Sequence, residues 1–134
     1  MLRAYDVAVS ALALDVDRKW LDNLLAQNDV PGVERVARGV SRQLSIPALV
    51  TAAVVRDLQR ELGVPVARGV EIARRAVAAH GNELHISEAL SLRLDLALIE
   101  RELGNRLVHA MERAAPRRRG RPPRDARKRR RGTP

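Results

Sequence analysis

The chain has 134 residues and a formal net charge of +9, room for one modest domain with appendages. It has no cysteine, which excludes disulfides, thiolate metal sites and cysteine-based redox sensing. The charge is uneven: residues 1–115 hold 15 Lys/Arg against 15 Asp/Glu, whereas residues 116–134 hold ten Lys/Arg against one Asp. A neutral globule with a polycationic tail is expected. Tyr5 and Trp20 are the only aromatic residues, which argues against a platform for stacking single-stranded bases. No apolar run is long enough to span a bilayer, and the first residues lack a signal-peptide layout, so a cytoplasmic protein is expected.

Residues 5–45 organise the reading. The segment DVAVSALA at 6–13 is short, apolar and alanine-rich, and Ala8 and Ala11 permit close approach of another helix. Leu14-Asp15-Val16-Asp17 follows. Aspartate tolerates the left-handed backbone that a tight interhelical turn needs, though less readily than glycine. Asp17 is placed to cap a helix over 18–28, where its charge suits the positive helix end. Leu21, Leu24 and Leu25 share one face of that helix, at three- and four-residue spacing. Arg18, Lys19, Asp22, Asn23 and Gln27 are left to face outward. Side chains of this kind, near the start of a reading helix, hydrogen-bond to base edges and phosphates in the major groove. Trp20 is read as a packing residue at the junction with the next element rather than as a base contact.

After Pro31-Gly32, the stretch VERVARGVSRQLS sets Arg35, Arg38 and Arg42 around Gly39, between Val33, Val36, Val40 and Leu44. Short β-branched runs on either side of a glycine predict a hairpin. Read alone it is equally an ordinary solvated hairpin. Beside a two-helix reader it becomes a basic wing lying on the phosphate backbone, and the whole a winged helix-turn-helix.

Ser45, followed by Pro47, is placed to cap a helix over 48–62 with Leu49, Val50, Val54, Leu58 and Leu62 inward, ended by Gly63. A further helix is predicted over 66–80, with Val66, Val70, Ile72, Ala73 and Val77 inward, closed by Gly81. Gly69 weakens its first turns. Residues 82–96 alternate apolar with polar at Leu84/Ile86 and Leu90/Leu92/Leu94/Leu96. A short hairpin is therefore expected, with a helix from Glu88 as the alternative. Residues 96–114 are helical, with Leu96, Ile99, Leu103, Leu107, Ala110 and Ala114 in one stripe. Such a stripe either packs on its own body or pairs with a second copy. Two-fold readers of paired half-sites use the latter, so a homodimer through residues 82–115 is expected.

Residues 5–79 resemble the DNA-binding domain of the mercury-resistance-regulator (MerR) family. There a two-helix reader is followed by a wing ending Arg-x-aromatic-Ser, then by a helix pair joined at a short glycine-containing turn. Arg42-Gln43-Leu44-Ser45 stands at the wing's end, and RDLQRELGVPVARGVEIAR at 56–74 stands where the second pair begins. Three places depart from the family pattern. The usual turn glycine is Asp15, the usual Arg-Tyr-Tyr region reads Asp22-Asn23-Leu24, and the wing aromatic is Leu44. The resemblance implies a winged helix-turn-helix of MerR type with a small β-hairpin wing; with the second short hairpin and the C-terminal helix read from the spacing above, the fold expected is mainly α. It implies DNA binding; with no cysteine and little chain after the second helix pair, the family's metal- or drug-sensing domain is not expected, as in the smaller regulators and phage excisionases that share the fold. The division expected is a reader at 1–80, a dimerisation element at 81–115 and a disordered basic tail at 116–134.

That tail contains Arg119-Gly120-Arg121-Pro122, flanked by Arg117, Arg118 and Arg124. The core looks like an AT-hook. Gly120 removes a side chain that would hold the backbone out of a narrow groove, Pro122 fixes an extended backbone, and two arginines run along the floor of A·T-rich minor groove. The competing reading is a generic basic tail on phosphates, which also fits the second cluster, Arg127 to Arg131.

Catalysis has little support in the sequence. His80, His85 and His109 lie in different elements without metal-ligand spacing, and no nucleophile–base pair or phosphate-cradling loop is visible. No enzyme activity, metal or cofactor is expected. The expected function is sequence-specific binding of double-stranded DNA as a transcriptional regulator. The expected contacts are Arg18, Lys19 and Asn23 in the major groove, Arg35, Arg38 and Arg42 on the backbone, and Arg118, Arg119, Gly120, Arg121 and Pro122 in A·T-rich minor groove. An architectural DNA-bending factor, or an antitoxin that also binds an operon-encoded protein, are the alternatives.

Overall fold

The computed structural model describes residues 3–34, 42–80 and 82–114. These residues form five helices and two small antiparallel sheets. The chain opens with a strand that hydrophobic periodicity is too short to reveal, β1 (Ala4–Asp6). Asp6 ends the strand and caps the first helix, α1 (Val7–Leu14), by accepting a hydrogen bond from the Val9 backbone N–H at 2.8 Å. Asp6 thus stands just outside the helix expected over 6–13, because its extended backbone and its side-chain bond make it the cap.

The turn after α1 has the expected backbone. Asp15 lies in the left-handed region at φ 58°, ψ 49°. The Val16 N–H donates to the Ala11 carbonyl and the Asp15 N–H to the Leu12 carbonyl, at 3.1 and 3.2 Å. This pair of bonds is a Schellman closure, which satisfies carbonyls that the helix end leaves open. Asp17 then flanks α2 (Arg18–Gln27) with extended backbone; its carbonyl accepts from the Leu21 N–H at 3.1 Å, but its side chain makes no cap bond and contributes only charge.

After α2 the chain forms β2 (Val33–Glu34) and, beyond residues 35–41, β3 (Gln43–Ser45). β3 is the central strand of the order β1-β3-β2, with Leu44 opposite both Tyr5 and Val33. Leu44 is fully buried there. A branched aliphatic fits this interior position, where the family pattern named above carries an aromatic. Gly32 takes φ +90°, and an added Cβ would fall 2.3 Å from the Ser45 Oγ, so the chain needs glycine at this crossing.

Ser45 caps α3 (Ile46–Leu62) through the Ala48 N–H, Pro47 sits in the first turn, and Gly63 ends the helix at φ 68°. α3 is the spine of the core, with Leu49, Ala52, Ala53, Val54 and Val55 all buried. Leu62, expected inward, is instead 65% exposed, because the core has already ended one turn earlier at Leu58. α4 (Val66–Ala79) packs along α3. Gly69 faces Val55 of α3, and a Cβ added there would meet it at ordinary contact distance, 3.4 Å from the nearer methyl. The left-handed residue that ends α4 is His80, one before the expected Gly81, which lies outside the described residues.

Residues 83–93 form the expected hairpin, β4 (Glu83–His85) and β5 (Ser91–Arg93), with Leu84 opposite Leu92. Leu84, Ile86, Leu92 and Leu94 lean on the core, while Leu90 is exposed. The final helix, α5 (Leu96–Ala114), packs against α1 and α3. Its stripe is spent internally: Leu103, Leu107 and Ala110 are buried in the same cluster as Leu14, Leu21 and Leu49. Of the two roles open to that stripe, packing on its own body is the one observed. Residues 82–114 accordingly share the core of the preceding residues.

Candidate nucleic-acid interface

α2 is amphipathic, and the two faces divide cleanly. Leu21, Leu24 and Leu25 are buried. Arg18, Lys19, Asn23, Ala26 and Gln27 are exposed, with Asp22 half-buried among them. At about 100° per residue these six occupy about half of the helix circumference, and Ala26 at its centre leaves room for close approach. Arg18, Lys19 and Asn23 are thus brought together on one open face.

What fixes that face is the joint between α1, the turn and α3. Arg56 of α3 donates from Nη1 to the Leu14 carbonyl at 2.7 Å, and Arg60 donates from Nη2 to the Asp15 carbonyl at 2.5 Å. Two guanidinium groups therefore take up carbonyls at the negative end of α1, where cations are favoured. Arg56 also bonds through Nε to the Asp57 carboxylate at 2.9 Å. On α2, the Trp20 indole N–H donates to Gln59 Oε1 at 3.0 Å. Trp20 therefore packs on α3; most of the β2–β3 segment, at whose junction with the helix it is expected, lies outside the described residues. Together with Val16, Asp17, Arg56, Gln59 and Arg60 it lines a shallow cleft of about 160 Å³.

Two ion pairs flank α2. Arg42 Nη1 lies 4.0 Å from Asp22 Oδ1, and Arg74 Nη2 of α4 lies 3.8 Å from Asp29 Oδ2, just past the C-terminal end of α2. Arg42 directly precedes β3, so this arginine sits at the base of the β2–β3 segment and reaches α2. Arg35 and Arg38, with Gly39, lie outside the described residues, as do Arg118, Arg119, Gly120, Arg121 and Pro122 of the tail. Sequence spacing did not single out Asp22, Arg56, Gln59 or Arg60 as partners. Each pairing joins residues 20 to 45 positions apart, and periodicity is blind to that range.

The electrostatics of the face are balanced rather than strongly basic. Exposed Asp15 and Asp17 precede Arg18 and Lys19, and Asp22 follows them. The cationic excess of the chain resides in residues 116–134. Among the described residues no group of three or more His, Asp or Glu side chains is placed to hold a metal ion. No helix among them is long and apolar enough to cross a membrane.

No family model, curated protein or solved structure matches this chain. The reading of the face therefore rests on its own geometry.

Proposed function

We propose that the chain is a sequence-specific DNA-binding transcriptional regulator built on a winged helix-turn-helix of MerR type. The observation that carries the reading is the α1–turn–α2 unit. Its left-handed Asp15 and arginine-fastened carbonyls support a rigid second helix whose open face bears Arg18, Lys19 and Asn23. In this reading α2 enters the major groove and the β2–β3 segment is the wing, with Arg35, Arg38 and Arg42 on the phosphate backbone. The tail, through Arg118, Arg119, Gly120, Arg121 and Pro122, occupies neighbouring A·T-rich minor groove. It raises affinity because it is linked to the first site. The near-neutral body makes this division of labour sensible: non-specific attraction follows cationic charge, and that lies in the tail. The regulator works as a homodimer on paired half-sites. With the inner stripe of α5 committed to the core, such a dimer has exposed Leu90, Leu98 and Val108 of residues 82–114 to use.

Selection from a random duplex library, at two salt concentrations, tests the proposal. The intact chain selects one motif with two-fold symmetry and an A·T-rich flank. Joint replacement of Arg18, Lys19 and Asn23 by Ala abolishes the motif, and Arg119→Ala with Arg121→Ala removes only the flank preference. Unchanged selection by the triple variant would refute the role given to α2. An equal loss on A·T-rich and G·C-rich DNA from the tail variant would reduce the tail to a polycation.

A further inference from the structure

The outward face of α2 contains an apparent contradiction. A helix meant to approach phosphates carries a carboxylate, Asp22, on that face, where like charge opposes binding. Arg18 and Lys19 stand one turn before it on the same helix. Among the described residues, however, its ion pair is to Arg42 of the strand base, at 4.0 Å. The two partners are not equally accessible: the Arg42 side chain is 21% exposed and that of Asp22 46%. Arg42 is therefore the more covered partner of the pair and Asp22 the more open one. The β2–β3 register, with Glu34 opposite Gln43, places Arg42 at the first position beyond the paired strand base. It is the point at which the β2–β3 segment meets α2.

Resting on the DNA-binding reading above, we propose that Asp22 is a positioning residue that sets the specificity of the interface by holding Arg42. A guanidinium has five N–H donors in a rigid plane. The Asp22 carboxylate, 4.0 Å from Nη1, holds one side of that plane by charge and makes no hydrogen bond with it, so the donors of the fork are left for a phosphate oxygen. Held in this way, Arg42 meets a phosphate at a fixed displacement from the bases under Lys19 and Asn23. A duplex of the right sequence and shape satisfies both contacts together. On any other duplex the Arg42 contact is out of register, and the Asp22 charge repels the backbone. Asp22 thus weakens non-specific binding more than specific binding, and discrimination is the difference between them.

A double-mutant cycle with the full-length chain separates this role from simpler ones, using the selected duplex and an unrelated duplex of equal length. Asp22→Asn raises affinity for the unrelated duplex but not for the selected one, so the specificity ratio falls about fivefold, the size of a modest pairwise coupling. Arg42→Ala weakens the selected duplex and makes its salt dependence shallower by about 0.9, the value for one phosphate contact. In the Arg42→Ala background, Asp22→Asn changes both duplexes by the same factor. Arg42→Lys keeps the charge without the planar fork, so it retains the salt slope and loses the coupling to Asp22. Far-ultraviolet circular dichroism and thermal unfolding of each variant confirm that the comparison is between folded proteins. Equal effects of Asp22→Asn on both duplexes with Arg42 intact would overturn the proposal, leaving Asp22 a general surface charge. So would a changed base preference at one position that persists without Arg42, because Asp22 would then read a base directly. Failure of the wild-type chain to select any duplex sinks the DNA-binding reading itself, an outcome distinct from additivity in the cycle.

Discussion

α5 and α2 bury nearly the same kind of surface and are held in opposite ways. Each turns three small or branched apolar side chains inward: Leu103, Leu107 and Ala110 on α5, Leu21, Leu24 and Leu25 on α2. α5 is nineteen residues long and lies across α1 and α3, so its position is set by side-chain packing along its length. α2 has ten residues, too few to be oriented by burial alone. Polar side chains complete its placement: Arg56 and Arg60 fasten the turn before it, Gln59 takes the Trp20 indole, and Asp22 and Asp29 tie its flanks to Arg42 and Arg74. A helix with one open face has fewer apolar contacts with which to fix its angle. Directional bonds at its ends supply the missing restraint.

The largest effect that tests this contrast lies in α5. Leu107→Ala removes a side chain that is 2% exposed and packed into the shared core. It should cost about 2–5 kcal/mol of unfolding free energy, measured by urea denaturation. If the stripe belonged to a dimer instead, the variant would lose mass in light scattering before it lost stability, and the contrast between the two helices would collapse.

Arg56→Ala probes the other side at intermediate size. Its guanidinium group is mostly buried, with a side-chain exposure of 15%, and supplies the donor to the Leu14 carbonyl. Losing a charge-assisted bond to a part-buried acceptor should cost about 1–3 kcal/mol. The signature is local: hydrogen exchange should accelerate at the amides of Asp15 and Val16 while α5 keeps its protection. Uniform loss of protection across both helices would show that the turn is no more polar in its support than the rest of the core.

How far the sequence reveals this arrangement depends on the range of the interaction. Local signals are legible. The left-handed Asp15, the Ser45 cap, the Gly63 stop and the hairpin at 83–93 each follow from residues within a few positions of one another. β1 is hidden because three residues carry no measurable period, and its pairing with β3 spans some forty positions. The inward stripe of α5 is visible in the spacing of Leu103, Leu107 and Ala110, but its partner is not. An apolar stripe has the same pattern whether it faces α1 or a second chain. For the candidate site, the sequence shows the open face of Arg18, Lys19 and Asn23. It does not show the arginines that fasten the turn or the pairing of Asp22 with Arg42, because such contacts exist only after the helices have crossed.

The smallest effect gives the finest test of the contrast. Gln59 accepts the Trp20 indole N–H at an exposed position, and a hydrogen bond shared with water there contributes little to global stability. Gln59→Ala should therefore change unfolding free energy by about 0.5 kcal/mol, the lower end for such bonds. Trp20 is the only tryptophan in the chain, so its fluorescence reports this one joint. If directional bonds orient α2, the variant's emission should shift and its anisotropy fall, showing a looser indole in an otherwise unchanged fold. If the buried leucines suffice, the emission stays as it is, because Val16 and the stems of Arg56 and Arg60 around the cleft hold the ring by contact alone. An unmoved spectrum together with a wild-type response of α2 to Arg56→Ala would make the two helices alike after all. A shifted spectrum at nearly constant stability is what a helix steered by polar contacts at its edge should give.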